Sequence, residues 1–162
     1  MLKKLFIILI IIFSYNASLY DYNIIRDIDK VYKKYLEINI PKTSMRFIGC
    51  KYKWGAEGEK EFDCSGFVQY VYKQYNIDLP RSSIEQYNMY MNNNLENIYE
   101  CTSGNLVFFR DRSNKYIGHV GIIIENNNDS ILFIHASSKG VNISSLDDLY
   151  YKERFVGIVK IH

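Results

Sequence analysis

The sequence predicts an α+β fold in which N-terminal helices pack on a C-terminal antiparallel β-sheet. Three observations predict it. Apolar residues recur at helical spacing up to Met91, whereas β-branched and aromatic runs dominate from Leu106 onward. Two of those later runs flank the polar stretch Glu125-Asn126-Asn127-Asn128-Asp129, as the arms of a hairpin would. Finally, 162 residues with 48% apolar composition suffice for one well-packed domain and fall short of two ordinary ones.

Taken in order, residues 1–18 carry a basic start, Met1-Leu2-Lys3-Lys4, an apolar stretch Leu5 to Phe13, and a small polar exit, Ser14-Tyr15-Asn16-Ala17-Ser18. This is the layout of a secretory signal peptide, cleaved after Ala17 or Ser18 or else kept as an uncleaved anchor. A spanning helix needs about 20 apolar residues, so no stable membrane insertion is expected after cleavage. No cysteine follows the stretch to accept a lipid. The expected location is outside the cytoplasm, in the periplasm, cell envelope or medium.

Residues 19–45 form a predicted helical segment. Ile24, Ile25, Ile28, Val31, Tyr32, Tyr35 and Leu36 keep a helical period, and the helix is expected to end before Pro41. A short helix from Ser44 to Ile48 is predicted next, stopped by Gly49. The remainder, 46–162, is expected to be one globular domain, and the residues with chemistry to offer fall within it.

From Cys64 to Tyr75, Phe67, Val68, Val71, Tyr72 and Tyr75 form an apolar face, with Asp63 as N-cap and Asn76 as a left-handed stop. Cys64 therefore falls in the first turn, where backbone N–H groups and the macrodipole favour a thiolate. A second helix is predicted over Ser83 to Met91, entered by a capping box of Ser82 with Glu85 or Ser83 with Gln86. Asn92-Asn93-Asn94 reads as a loop.

Strands are predicted over Leu106 to Arg110, Tyr116 to Ile124, Ile131 to Ala136 and Phe155 to Ile161. If the turn between the middle two centres on Asn127, His119 lies directly opposite His135 on one face, with Cβ atoms roughly 5 Å apart. The chain has three histidines, and the third is the terminal His162. A thiol at a helix start and two adjacent imidazoles supply a Cys-His-His nucleophilic centre, in which either imidazole could be the base. Taken singly, a helical cysteine is usually a small buried apolar group and a strand histidine a satisfied core group. Their joint register favours a site. Close ligand pairs such as C-x-x-C are absent, so neither a metal nor another cofactor is predicted.

Three cysteines leave one over if a disulfide forms. A Cys50–Cys101 bridge with Cys64 free satisfies that count, as do buried free thiols. The formal charge is +2, and loss of Lys3 and Lys4 with the signal leaves the remainder near neutral. With no basic run and no Gly-rich phosphate loop, nucleic acid is not expected as a partner. No oligomeric state is predicted.

Several segments, in order, resemble the NlpC family of papain-like cysteine peptidases: Tyr52-Lys53-Trp54-Gly55, Phe62-Asp63-Cys64-Ser65-Gly66-Phe67-Val68, Leu79-Pro80-Arg81-Ser82-Ser83 with Gln86, Gly104-Asn105-Leu106-Val107-Phe108-Phe109, Gly118-His119-Val120-Gly121, Phe133-Ile134-His135-Ala136-Ser137, and Arg154-Phe155-Val156-Gly157. The resemblance implies a papain-like fold and hydrolysis of peptidoglycan stem peptides, with D-γ-glutamyl-diaminopimelate the expected bond. It assigns Cys64 as nucleophile, His119 as base, His135 as the group that orients it, and Tyr52 as an oxyanion donor beside the Cys64 N–H. It matches Asp63 and Ser65 to residues that bind the free amino end of the stem, and Trp54, Arg81 and Ser83 to the cleft lining. The pattern departs at Asn105, where aspartate is usual, at Ile123, where tyrosine is usual, and at Lys51 in place of proline. Two alternatives stay open: a papain-like N-acetylmuramoyl-L-alanine amidase, and a non-catalytic domain that binds wall peptides or regulates other hydrolases.

Overall fold

The computed structural model describes residues 19–127 and 129–161. The predicted signal segment, 1–18, lies outside them, as does His162. Among the described residues no helix is long and apolar enough to cross a membrane.

Contacts divide the chain at Leu36/Glu37. The described part of the first unit is the N-terminal stretch of helix α1 (Leu19–Met45), whose exposed face carries a Lys33–Asp29 ion pair at 3.0 Å. The second unit begins inside the same helix. Here one expectation is corrected: α1 does not end before Pro41 but runs through it to Met45, and residues 46–49 form turns rather than a separate helix. A tertiary anchor outweighs the proline penalty of about 3 kcal/mol. The Tyr75 hydroxyl bonds both the Asn39 carbonyl (2.7 Å) and Thr43 Oγ1 (2.6 Å), and the buried Ser44 hydroxyl donates to the Pro41 carbonyl at 2.7 Å.

Next come three two-residue strands, β1 (Lys51–Tyr52), β2 (Glu57–Gly58) and β3 (Glu61–Phe62), ordered β1-β3-β2. The parallel β1–β3 pair sets Tyr52 beside Phe62, two residues before Cys64. Helix α2 (Cys64–Lys73) then starts at Asp63, which has extended backbone angles and whose carboxylate accepts the Gly66 N–H at 2.7 Å. Its buried face, Phe67, Val68, Val71 and Tyr72, packs toward the large sheet, and the chain leaves through Asn76 at φ 57°, the left-handed stop read from sequence. Helix α3 (Ser83–Tyr90) is entered by the Ser82–Glu85 capping box, which selects between the two predicted boxes. It passes into a 3₁₀ turn at Met91–Asn93, and a second 3₁₀ turn follows at Ile98–Glu100.

The large sheet is antiparallel, with strands β4 (Leu106–Arg110), β5 (Ile117–Asn126), β6 (Ile131–Ser137), β7 (Gly140–Ser145) and β8 (Phe155–Val159) in the order β7-β6-β5-β4-β8. A short helix α4 (Leu149–Lys152) precedes β8. One cluster on the sheet gathers Val107, Phe109, Ile123, Phe133, Leu146 and Ile158, with Tyr151 of α4 packed against it. Ile123 thus fills with aliphatic bulk the position where the resembled family usually has tyrosine.

The hairpin register differs from the expectation. Asn127 does not centre a symmetric turn; its side chain accepts the N–H groups of Asp129 (3.1 Å) and Ser130 (2.8 Å), and the arms close at Asn126↔Ile131. A register shift between Ile123 and Glu125 leaves Ile122 opposite Ile134, which sets His135 opposite Gly121, not His119. The two histidines are diagonal rather than direct neighbours. Because the displacement is two residues, their side chains still share a face.

All three cysteines are free, so the Cys50–Cys101 bridge is also corrected. Cys50 lies before β1 with its sulfur toward the Glu59 carbonyl, whereas Cys101 is buried in the cluster with Val107 and Ile123.

Candidate active site

The first turn of α2 holds Cys64 in a cramped place. A Cβ on Gly66 would come within 2.3 Å of the Ala56 carbonyl oxygen, so glycine there lets the loop after Trp54 lie directly on the helix. The same loop donates the Gly55 N–H to Asp63 Oδ2 (3.0 Å), and the Asp63 N–H returns to the Ala56 carbonyl (2.8 Å). Across the cleft, Cys64 Sγ lies 3.9 Å from the Gly118 carbonyl, the residue before His119.

The two imidazoles meet. His119 Nε2 is 2.8 Å from His135 Nδ1, with the rings perpendicular and their centroids 4.9 Å apart. Gly121 makes the diagonal approach feasible, since a Cβ there would press on Phe133 at 2.7 Å and on His135 Cβ at 3.3 Å. Phe109 and Tyr151 flank the pair, and His135 is fully buried.

Burial sets the protonation states. It pulls His119 down to about 4, and burial with the neighbouring His119 pulls His135 down to about 3, so both are neutral at physiological pH. Burial and the Asp63 charge push the Cys64 thiol up to about 11, against the opposing pull of the Ser65, Val120 and Cys64 N–H groups. The helix N-terminus expected from sequence is present, but in the free protein desolvation outweighs it. The resting pair is thiol and neutral imidazole. Tyr52 is raised by burial and by Cys64 and Asp63, which keeps its hydroxyl protonated as a donor.

Asp63, Ser65 and Arg81 form one network. Asp63 accepts Arg81 in two-pronged fashion (3.0 and 2.6 Å), along with the Gly55 and Gly66 N–H groups and, at 3.3 Å, the Ser65 hydroxyl. Arg81 also reaches Ser65 Oγ (3.1 Å) and Glu57 (3.2 Å). A carboxylate offers roughly four acceptor sites, so that of Asp63 is already filled. Ser83 is buried at the start of α3, its hydroxyl aimed at the Ile117 carbonyl at 3.5 Å. Trp54 is 85% exposed beside this cluster. Among the described residues no group of three or more His, Cys, Asp or Glu side chains could hold a metal ion.

Sequence reasoning missed the groups behind His135. Its Nε2 lies 3.0 Å from Ser144 Oγ and 3.3 Å from the Tyr151 hydroxyl. The alternation Val141-Asn142-Ile143-Ser144 was a signal for β7; Tyr151, one of fifteen tyrosines, offered none. Gln86, quoted only as part of a motif, ties α3 to α2 by donating to the Ser65 and Pro80 carbonyls at 3.1 and 2.8 Å. A cavity of about 160 Å³ at the turn end of the β5–β6 hairpin, lined in part by Ser130, Ile131 and Phe155, contains none of the predicted site residues.

Comparison with known proteins finds relatives of this chain in sequence and in fold. The chain is 42% identical over 109 residues to the Escherichia coli murein DD-endopeptidase MepS/murein LD-carboxypeptidase, covering 66% of this chain and 53% of that one. It is 38% identical over 110 residues to the probable peptidoglycan endopeptidase LytE of Bacillus subtilis, covering 68% of this chain and 30% of that one. The chain thus spans about half or less of these relatives. Among solved structures, a Bacillus cereus NlpC/P60 family protein superposes with a TM-score of 0.66 at 28% identity, over 76% of this chain and 39% of that one. The NlpC/P60 family model matches residues 49–160, a span that holds Tyr52, Cys64, His119 and His135, and the chain belongs to that family.

Proposed function

We propose that the protein is an exported cysteine endopeptidase that hydrolyses peptide bonds in peptidoglycan stem peptides. The observation that carries this reading is the 2.8 Å bond between His119 Nε2 and His135 Nδ1, with the thiol of Cys64 lying against the backbone before His119. A bond at His119 Nε2 leaves Nδ1 to serve Cys64.

In this mechanism the substrate carbonyl approaches the helix start. His119 Nδ1 takes the thiol proton as Cys64 Sγ bonds to the carbonyl carbon, and the oxyanion is held by the Cys64 N–H and the Tyr52 hydroxyl. Each such donor is worth about 3 kcal/mol of barrier. His119 then protonates the leaving amine, the C–N bond breaks, and water cleaves the thioester with His119 again as base. Because the resting pair is uncharged, thiol deprotonation accompanies attack.

The names of the relatives support peptidoglycan as substrate class, and one of them specifies DD-endopeptidase and LD-carboxypeptidase activity. The bond we propose is D-γ-glutamyl-diaminopimelate. Digestion of purified peptidoglycan by wild type and Cys64→Ala, with products identified by mass spectrometry, tests it. New γ-glutamyl and diaminopimelyl termini are expected from wild type alone. Release of whole stems from the sugar would mark an amidase. Intact muropeptides in the presence of a reactive Cys64 thiol would sink the peptidase reading, and equal muropeptide binding by Cys64→Ala would then favour a binding domain.

A further inference from the structure

The bond between the two imidazoles can be made in two ways. Either His119 carries its proton on Nε2 and donates, or His135 carries one on Nδ1 and donates. Only the first leaves His119 Nδ1 bare and able to receive the thiol proton. In that arrangement neutral His135 must hold its single proton on Nε2, and a fully buried N–H needs an acceptor.

Two hydroxyls converge there, Ser144 Oγ at 3.0 Å and Tyr151 at 3.3 Å. A hydroxyl could itself donate to Nε2 and enforce the wrong form, so the direction of the nearer proton, that of Ser144, weighs most. Asn142 supplies that direction. Its Nδ2 donates to the Gly140 carbonyl (2.7 Å) and to Ser137 Oγ (2.8 Å), which fixes the amide orientation because a carbonyl can only accept. Its Oδ1, an acceptor only, then lies 3.5 Å from Ser144 Oγ and draws the serine proton away from His135. The lone pairs of Ser144 are left for Nε2–H.

We propose that Ser144 and Tyr151 are positioning residues that hold His135 in its Nε2–H tautomer, and so hold His119 with an unprotonated Nδ1. This rests on the reading of Cys64 and His119 as nucleophile and base. Each acts through the contact it makes with His135 Nε2. Tyr151 also packs its ring on Phe109 and Phe133, so Tyr151→Phe removes the hydroxyl while keeping that packing.

The test is long-range ¹H–¹⁵N NMR of the imidazoles in the full chain, together with steady-state kinetics on muropeptides. Wild type is expected to show Nε2–H at both His119 and His135. The double variant Ser144→Ala/Tyr151→Phe is expected to move His135 toward Nδ1–H and to lower kcat about 10- to 100-fold, the usual scale for groups that orient a functional side chain, with KM unchanged within about twofold. Ser144→Thr, which keeps a hydroxyl, should restore the wild-type spectrum and most of kcat in the Tyr151→Phe background. An Nδ1–H signal for His135 in wild type would overturn the proposal, as would a double variant with unchanged tautomers and unchanged kcat. Should the double variant fold poorly, the two single substitutions are read by the same spectra. The tautomer signal needs no turnover, so it decides this proposal even if wild type leaves peptidoglycan intact, a result that would count only against the peptidase reading.

Discussion

Arg81→Met removes the guanidinium that binds Asp63 through two nitrogens, at 3.0 and 2.6 Å. The Asp63 side chain is 9% exposed and that of Arg81 37%. Deleting one partner of a buried pair typically costs about 3–5 kcal/mol, because the other charge is stranded. Two features lower that figure here. The Gly55 and Gly66 N–H groups and the Ser65 hydroxyl still hold the anion, and the Arg81 end is open to water and salt. The expected loss is about 2 kcal/mol. At roughly 2–4 °C per kcal/mol for a chain of this size, the melting temperature should fall by about 4–8 °C. The assay is thermal unfolding by circular dichroism at neutral pH, run alongside Asp63→Asn and the double variant. Asparagine still caps α2, so if a stranded charge is the cause, Asp63→Asn should cost less in the Arg81→Met background than in wild type. A shift under about 1 °C for Arg81→Met, or strictly additive effects of the pair, would refute the reasoning.

Other outcomes follow from the same geometry. Cys64 alkylation by iodoacetamide should be slow at pH 5–7 and rise continuously above neutrality, since the thiol is pushed up to about 11 while His119 sits near 4; a plateau of fast reaction from about pH 4 would indicate a resting thiolate–imidazolium pair and contradict the uncharged one. Folding stability should fall as the pH drops from about 6.5 toward 4 and 3. In that window the unfolded chain protonates His119 and His135 and the folded one does not, so a melting series on His135→Asn should slope less than wild type, and equal slopes would contradict the assignment. Trp54→Ala should leave the melting temperature within about 1 °C, because the ring is 85% exposed, but raise KM on muropeptides several-fold; unchanged KM would remove Trp54 from the substrate cleft.

Much of this was legible in the chain because the signals were local. The Cys64 helix announces itself by an N-cap, an apolar stripe and a left-handed asparagine, all within one short segment, and the strand from Leu106 begins with an unbroken apolar run through Phe109. The shared face of His119 and His135 survived an error in register because the error was even. What stayed hidden depends on partners distant in sequence. Two-residue strands such as β1 and β3 have no periodicity to read, yet they set Tyr52 beside Phe62, two residues before Cys64. Pro41 reads as a helix stop in the sequence, because the hydroxyl that holds both Asn39 and Thr43 belongs to Tyr75, far along the chain. In the sequence Asp63 reads as a helix cap and a match for binding the stem's amino end, and Arg81 as a match for the cleft lining; only their side-chain geometry makes them one ion pair.

The close seat of Ala56 over Gly66 bears on how Trp54 can work. With Gly55 and Ala56 both bonded to Asp63, and the Ala56 N–H bonded to the Lys53 carbonyl at 3.1 Å, the backbone on either side of the indole is stitched to the start of α2. A residue so mounted resembles a bristle on a fixed handle. It can sweep by rotating its own side-chain bonds, while its loop cannot hinge as a lid. A ligand that met the indole would freeze at most two torsions, an entropy cost of about 1 kcal/mol, in place of ordering a whole segment. Ligands that differ only in what they would set against the indole should then associate at similar rates and part company in how long they stay.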